Sequence, residues 1–212
     1  MSNLEKLYLK NSNIPKRYLE EIKLVPAKVD RQAYLDLNDI RTNVKEFVDS
    51  GDNLIICSTS VGNGKTTWAT KIMKSYISSV SNYSFKKSTP ALYINVASFL
   101  SEKKQAISDK TLLSHIMDLE SKLLTSKLVV FDDLCVRGDT SQYDLSQLYY
   151  WIDYRSSNKL SCIYTTNLLP AQLENALDAR LYSRVVNYSR IITFEDGDHR
   201  RQINGNSGTS TK

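Results

Sequence analysis

The stretch that most constrains this chain is Thr59-Ser60-Val61-Gly62-Asn63-Gly64-Lys65-Thr66-Thr67. It lies between the apolar run Leu54-Ile55-Ile56-Cys57 and a helix-like segment with Trp68, Ile72, Met73 and Tyr76. Strand, glycine-bearing loop, Lys-Thr and helix in that order predict a phosphate-binding P-loop. Glycines let backbone N–H groups turn inward around an anion with no Cβ in the way. The helix that follows aims its positive end at the same point. Ser60, Val61, Gly62, Asn63, Gly64, Lys65, Thr66 and Thr67 are therefore the expected ATP phosphate site. Lys65 would reach the β- and γ-phosphates, and Thr66 would offer its hydroxyl to Mg²⁺. The G-x-x-x-x-G-K-[ST] pattern has glycine where this chain has Thr59, so an altered first turn is expected.

The remaining composition narrows the class. A chain of 212 residues suits one large domain with small appendages. No stretch approaches a membrane span and the first residues lack a signal-peptide core, so a cytoplasmic protein with no membrane partner is expected. Cys57, Cys135 and Cys162 lie in or beside apolar runs, as reduced core thiols would. With only His115 and His199 and no Cys-x-x-Cys, a structural metal site is not expected. The net charge of +5 permits a polyanionic partner without demanding one.

Pro15 as a first helical residue, with Tyr18, Leu19 and Ile22 on one face and Pro26 as a stop, predicts a helix in the N-terminal segment. A second helix is expected over 33–49, with Ile40, Val44, Phe47 and Val48 as its stripe and Gly51 just beyond its end. Strands are expected at 53–58, 91–96, 127–132, 160–165 and 189–194. Helices are expected at 65–80, 97–106, 110–125, 141–157 and 170–184. The alternation predicts an α/β fold: a five-stranded parallel sheet between helices. The expected division is a short extension at 1–32, an ATPase core at 33–201 and a disordered tail at 202–212, with a flexible loop at 81–89.

Leu128-Val129-Val130-Phe131-Asp132-Asp133 reads as a buried strand ending in two carboxylates, the Walker B position of a P-loop ATPase. A parallel sheet offers its ligands at the carboxyl ends of its strands, which brings both acids beside the P-loop. Asp132 is the candidate Mg²⁺ residue and Asp133 the candidate base for an attacking water. Asp133 stands where glutamate is usual and is one methylene shorter. A later strand, Ser161 to Thr166, leads into Asn167. Its Thr-Asn end resembles sensor 1 of AAA+ ATPases, where the amide contacts the γ-phosphate; a turn cap is the alternative. Ser183-Arg184 resembles the box that carries a trans-acting arginine finger in oligomeric AAA+ proteins, which would imply self-assembly through the ATP site. Arg180 or Arg190 are alternatives for that role.

Together these pieces resemble the DnaC/DnaI-type helicase loaders, in the same AAA+ clade as the IstB transposition helpers. The resemblance spans about residues 8–201. It includes Ile14-Pro15-Lys16-Arg17-Tyr18, Tyr93-Ile94-Asn95-Val96-Ala97-Ser98-Phe99-Leu100, Asp153-Tyr154-Arg155-Ser156-Ser157 and Phe194 to Arg201. It implies an AAA+ ATPase with slow, partner-regulated hydrolysis, using ATP and Mg²⁺. It also implies a sensor 2-like arginine at Arg200, and a hexameric replicative helicase and single-stranded DNA as partners. Only 18 residues follow Phe194, so no C-terminal helical lid is expected. Cellular loaders carry a longer N-terminal domain. Residues 1–24 are the expected partner contact here, as in a short phage- or mobile-element-encoded version. Phe99, Lys103, Lys104 and Arg137 are the candidate DNA contacts, with a core phenylalanine and a solvated lysine pair as the alternative. The basic-aromatic loop with Tyr83, Phe85, Lys86 and Lys87 is a further candidate. Two other functions fit the same motifs: an IstB-like ATPase that helps a transposase, and a small-molecule P-loop kinase.

Overall fold

The computed structural model describes residues 1–81, 89–135 and 141–195. Five strands form one parallel sheet: β1 (Asn53–Cys57), β2 (Ala91–Asn95), β3 (Leu128–Asp132), β4 (Ser161–Thr166) and β5 (Ser189–Thr193), in the spatial order β2-β3-β4-β1-β5. β1, β3 and β4 are buried at every residue, because helices cover both faces of a parallel sheet. Alternate side chains divide between two cores. Leu54, Ile56, Val130 and Ile163 pack under α1 (Asn3–Asn11), α2 (Arg31–Thr42), α3 (Val44–Ser50) and α4 (Lys65–Val80). Ile55, Cys57, Val129, Phe131 and Tyr164 pack under α5 (Val96–Gln105), α6 (Lys110–Thr125), α7 (Gln142–Ser157), α8 (Pro170–Ala176) and α9 (Ala179–Val186).

Every strand predicted from the sequence is present, and the helices after β1, β2 and β3 fall where expected. Three elements differ. The helix expected from Pro15 is a single 3-10 turn, Lys16–Tyr18, and the N-terminal helix, α1, lies upstream and is closed by a capping box at Ser2 and Glu5. Asn13 takes a left-handed φ of 59° and Pro15 is extended, so no helix propagates through them. The expected 33–49 helix is broken at Asn43, whose side chain donates to Asp39 O (3.3 Å) and Oδ1 (3.1 Å). Ile40, Val44 and Val48 nevertheless keep one buried stripe, and Gly51 ends α3 at φ 77°. The expected 170–184 helix is two helices. Leu177 is extended, and the Asp178 carboxylate accepts from Leu181 N (2.8 Å) to start α9.

Arg155 lies within the Asp153–Ser157 stretch and is fully buried. It donates to the carbonyls of Leu123 (2.6 Å), Ser126 (2.9 Å) and Ser161 (2.7 Å). It ties α7 to the end of α6 and the start of β4, on the side of the sheet away from the strand carboxyl ends. Among the described residues, no helix is long and apolar enough to cross a membrane. Residues 82–88, within the expected flexible loop, lie outside the described residues. So do Arg137, Arg200 and the tail at 202–212.

Candidate nucleotide site

β1 ends at Cys57, and the chain then turns through a loop whose left-handed positions fall on Gly62 (φ 81°) and Gly64 (φ 93°). Thr59 is exposed and is not one of the residues with positive φ, so the first position of the motif has no need of glycine here. Lys65 begins α4. Its Nζ donates to Ser60 O (2.8 Å) and Asn63 Oδ1 (3.0 Å), which folds the ammonium back over the loop. Asn63 is buried, and among the described residues its Nδ2 has no hydrogen-bond partner. A buried donor at the apex of a glycine loop, beside an ammonium and a helix N-terminus, fits an anion.

The acidic strand ends next to this loop. Both Asp132 oxygens are held by neighbouring strands: Tyr93 Oη on β2 donates to Oδ2 (2.6 Å) and Thr165 Oγ1 on β4 donates to Oδ1 (2.7 Å). Burial and the adjacent Asp132 push the Tyr93 hydroxyl far above its usual pKa, which keeps it a donor. Asp133 leaves the strand at φ 59°. Its N–H donates to Thr165 Oγ1 (3.0 Å), and its Oδ2 accepts from Asn95 Nδ2 (3.2 Å). Burial raises its pKa and the charge of Asp132 raises it further. Asn95, Lys65 and Arg17 pull the other way.

A cleft of about 390 Å³ joins these parts, with Val61, Gly62, Asn63, Gly64, Lys65, Thr66, Thr67, Asp133 and Asn167 in its wall. Asp133 faces the cleft, and Asp132, 2% exposed, stands behind it. Ser60 meets the site through its carbonyl. Arg17, Tyr18, Ile22 and Leu24 complete the wall. Tyr18 and Ile22, expected with Leu19 to share one face of an N-terminal helix, both line this cleft beside the P-loop, whereas Leu19 is exposed. Beside Gly64, Tyr34 packs its ring against Trp68 (5.2 Å) and Phe194 (5.5 Å).

Sequence reasoning missed Tyr93, Thr165 and Asn95, the donors that set the carboxylates. Their signal lay in register: Asn95 sits opposite Asp132 across β2 and β3. A cluster of three or more His, Cys, Asp or Glu side chains suited to a metal is absent among the described residues. Thr66, on the cleft wall, and Asp132 behind it are oxygen donors of the kind Mg²⁺ takes, one or two from the protein with phosphate and water completing its shell.

The remaining candidates stand outside the cleft wall. Phe99, 3% exposed, packs its ring on Trp151 at 5.2 Å and presents no face to solvent. Lys103 pairs with Glu120 and lies 5.4 Å from the Trp151 ring centre, and Lys104 pairs with Asp144 at 2.8 Å. Arg184 on α9 pairs with Asp153 on α7 and lies over the Tyr149 ring (5.0 Å). Arg190 pairs with Asp36 at 3.6 Å.

Sheet, loop and acidic strand together make a P-loop NTPase fold of the AAA+ type. Among solved structures the chain is similar to the DnaC helicase loader, at 21% identity and a TM-score of 0.63, over 85% of this chain and 100% of that one. It is also similar to DnaI (18%, TM-score 0.64, 85% and 94%). A third similar structure is the replication initiator DnaA bound to AMPPCP and single-stranded DNA (16%, TM-score 0.63, 87% and 51%). No protein-family model matches the sequence, and no curated protein matches it.

Proposed function

We propose that this chain is an ATP-driven switch that recruits or opens a hexameric replicative helicase on single-stranded DNA during replication. The observation that carries the reading is the convergence of the P-loop, Asp133 and Asn167 on one cleft, in a fold similar to that of the DnaC helicase loader. In this reading the N–H groups around Gly62 and Gly64 cradle the phosphates and Lys65 neutralises them. Thr66 would hold Mg²⁺ and Asp132 its hydration shell, and the ion when bound would offset charge on the phosphate oxygens. Asp133 takes the proton of the attacking water, and the Asn167 amide orients that water. Donors from β2 and β4 fix these acids before any substrate arrives, so little reorganisation is needed.

Hydrolysis in this reading is slow and acts as a timer. Arg184, presented by α9, completes the site of a neighbouring copy, which makes self-assembly part of the cycle. The helicase contact lies on residues 1–24, chiefly on α1, where Leu7 is exposed. A cytoplasmic setting goes with these partners. The test is capture by the full chain of the replicative helicase from its own host, with and without ATP and Mg²⁺. ATP-dependent helicase capture is expected. Capture of a transposase, or phosphoryl transfer to a small acceptor, overturns the proposal.

A further inference from the structure

Residues 12–24 form a strap that crosses the P-loop helix. The strap leaves the sheet edge at β2, where Tyr93 N donates to Ser12 O (2.8 Å) and Asn13 Nδ2 donates to Tyr93 O (3.1 Å). Lys74 of α4 then holds it by donating to the carbonyls of Tyr18 (2.7 Å) and Glu20 (3.2 Å). It reaches the P-loop at Leu24, whose Cδ1 lies 3.2 Å from where a Cβ on Gly64 would stand.

Between these anchors lies Arg17, exposed at its surface and lining the cleft with Lys65, Thr66, Asp133 and Asn167. Its guanidinium rests on the Tyr18 ring, 4.6 Å from the centroid, and Tyr18 itself is buried. Among the described residues Arg17 forms no ion pair, unlike Lys103, Lys104 and Arg184. The strap enters from β2, and β2 neighbours the strand that ends in Asp132 and Asp133. Arg17 lines the same cleft as Asp133, and its charge is felt at the Asp133 carboxyl. Leu24 lies beside Gly64, near the Tyr34 hydroxyl.

Lys65 folds back over the phosphate loop, and in the proposed function Arg184 serves the site of a neighbouring copy, so Arg17 is an exposed guanidinium that lines the cleft of its own chain. A planar fork of N–H donors matches the oxygens of a terminal phosphate. We propose that Arg17 contacts the terminal phosphate of ATP held by this P-loop, in the same chain, so that the N-terminal strap distinguishes triphosphate from diphosphate. The inference rests on the P-loop reading above. It adds a route from the nucleotide to the N-terminal segment, since Ser12 and Tyr18 hold the two flanks of Arg17 to β2 and α4.

The test is calorimetric titration of the full chain with Mg²⁺-AMPPCP and Mg²⁺-ADP. Wild type, Arg17→Ala and Arg17→Lys are compared, and unfolding midpoints confirm that all three are folded. Arg17→Ala is expected to weaken AMPPCP binding about tenfold and ADP binding less than about twofold, with partial recovery in Arg17→Lys. Equal weakening of both nucleotides, or of neither, overturns the assignment while leaving the P-loop reading in place. A folded wild type that binds neither nucleotide overturns both.

Discussion

At the carboxyl ends of β1, β3 and β4, polar side chains converge on one cleft. On α5 and α9, Lys103, Lys104 and Arg184 are already paired with carboxylates of the same chain. The contrast has a simple origin. A parallel sheet aligns the ends of its strands, so residues far apart in sequence are brought to one line by backbone pairing alone. A helix surface has no such alignment, and a lysine there meets whatever carboxylate lies within its reach. Lys103 meets Glu120 and Lys104 meets Asp144, each from a different helix.

The largest expected effect challenges the peripheral side of this contrast. If Arg184 leaves Asp153 to serve a neighbouring site, Arg184→Ala lowers hydrolysis about a thousandfold and leaves nucleotide affinity unchanged. Mixing it with Lys65→Ala then restores part of the activity, because one mixed interface pairs an intact site with an intact finger. Steady-state phosphate release across mixing ratios checks this. A flat response with both variants folded confines Arg184 to tying α9 to α7.

Asp133→Asn sharpens the cleft side. Turnover should fall about a hundredfold while nucleotide affinity holds, because the base is lost and the cradle is not. Stability should move the opposite way. The Asp133 pKa is raised in the folded chain, first by burial and then by Asp132, so its protonated form favours folding. That contribution is present below the unfolded pKa and is lost as pH rises through the folded one. Asp133→Asn therefore raises the unfolding midpoint at neutral pH without nucleotide or Mg²⁺, and the advantage vanishes in acid. The φ of 59° suits asparagine.

Lys65→Ala should cost at least about tenfold in ATP affinity, about 1.4 kcal/mol. Fluorescent-nucleotide titration reads it directly, and unchanged affinity would remove the P-loop from the argument. The smallest effect belongs to Lys104→Ala. Asp144 already neutralises that ammonium, so affinity for single-stranded DNA should change by less than about threefold. A tenfold loss would show that the pair opens for DNA and that α5 cations are free to act as the cleft cations do.

Legibility followed the range of the forces. Strand–loop–helix order around Lys65 and the paired acids after Phe131 were readable because each is built from neighbours in sequence. Their donors, Tyr93 and Thr165, were not, because which strands flank β3 is a matter of sheet order. The α8–α9 break was hidden for a related reason. Leu173, Leu177, Leu181 and Val185 recur every four residues, as one helix would, and only the Asp178 cap divides them.

By itself the sequence determined the alternating α/β architecture, the five strands and the composition of the phosphate loop. Hydrophobic periodicity, glycine freedom and turn chemistry act within a few residues. Tertiary structure alone decided that Pro15 lies within a strap. The carbonyls of Tyr18 and Glu20 find the Lys74 ammonium, and Asn13 finds Tyr93, in place of helical partners. It also decided which cations face the cleft, since a side chain of fixed length pairs with the nearest opposite charge, and only packing sets what is nearest.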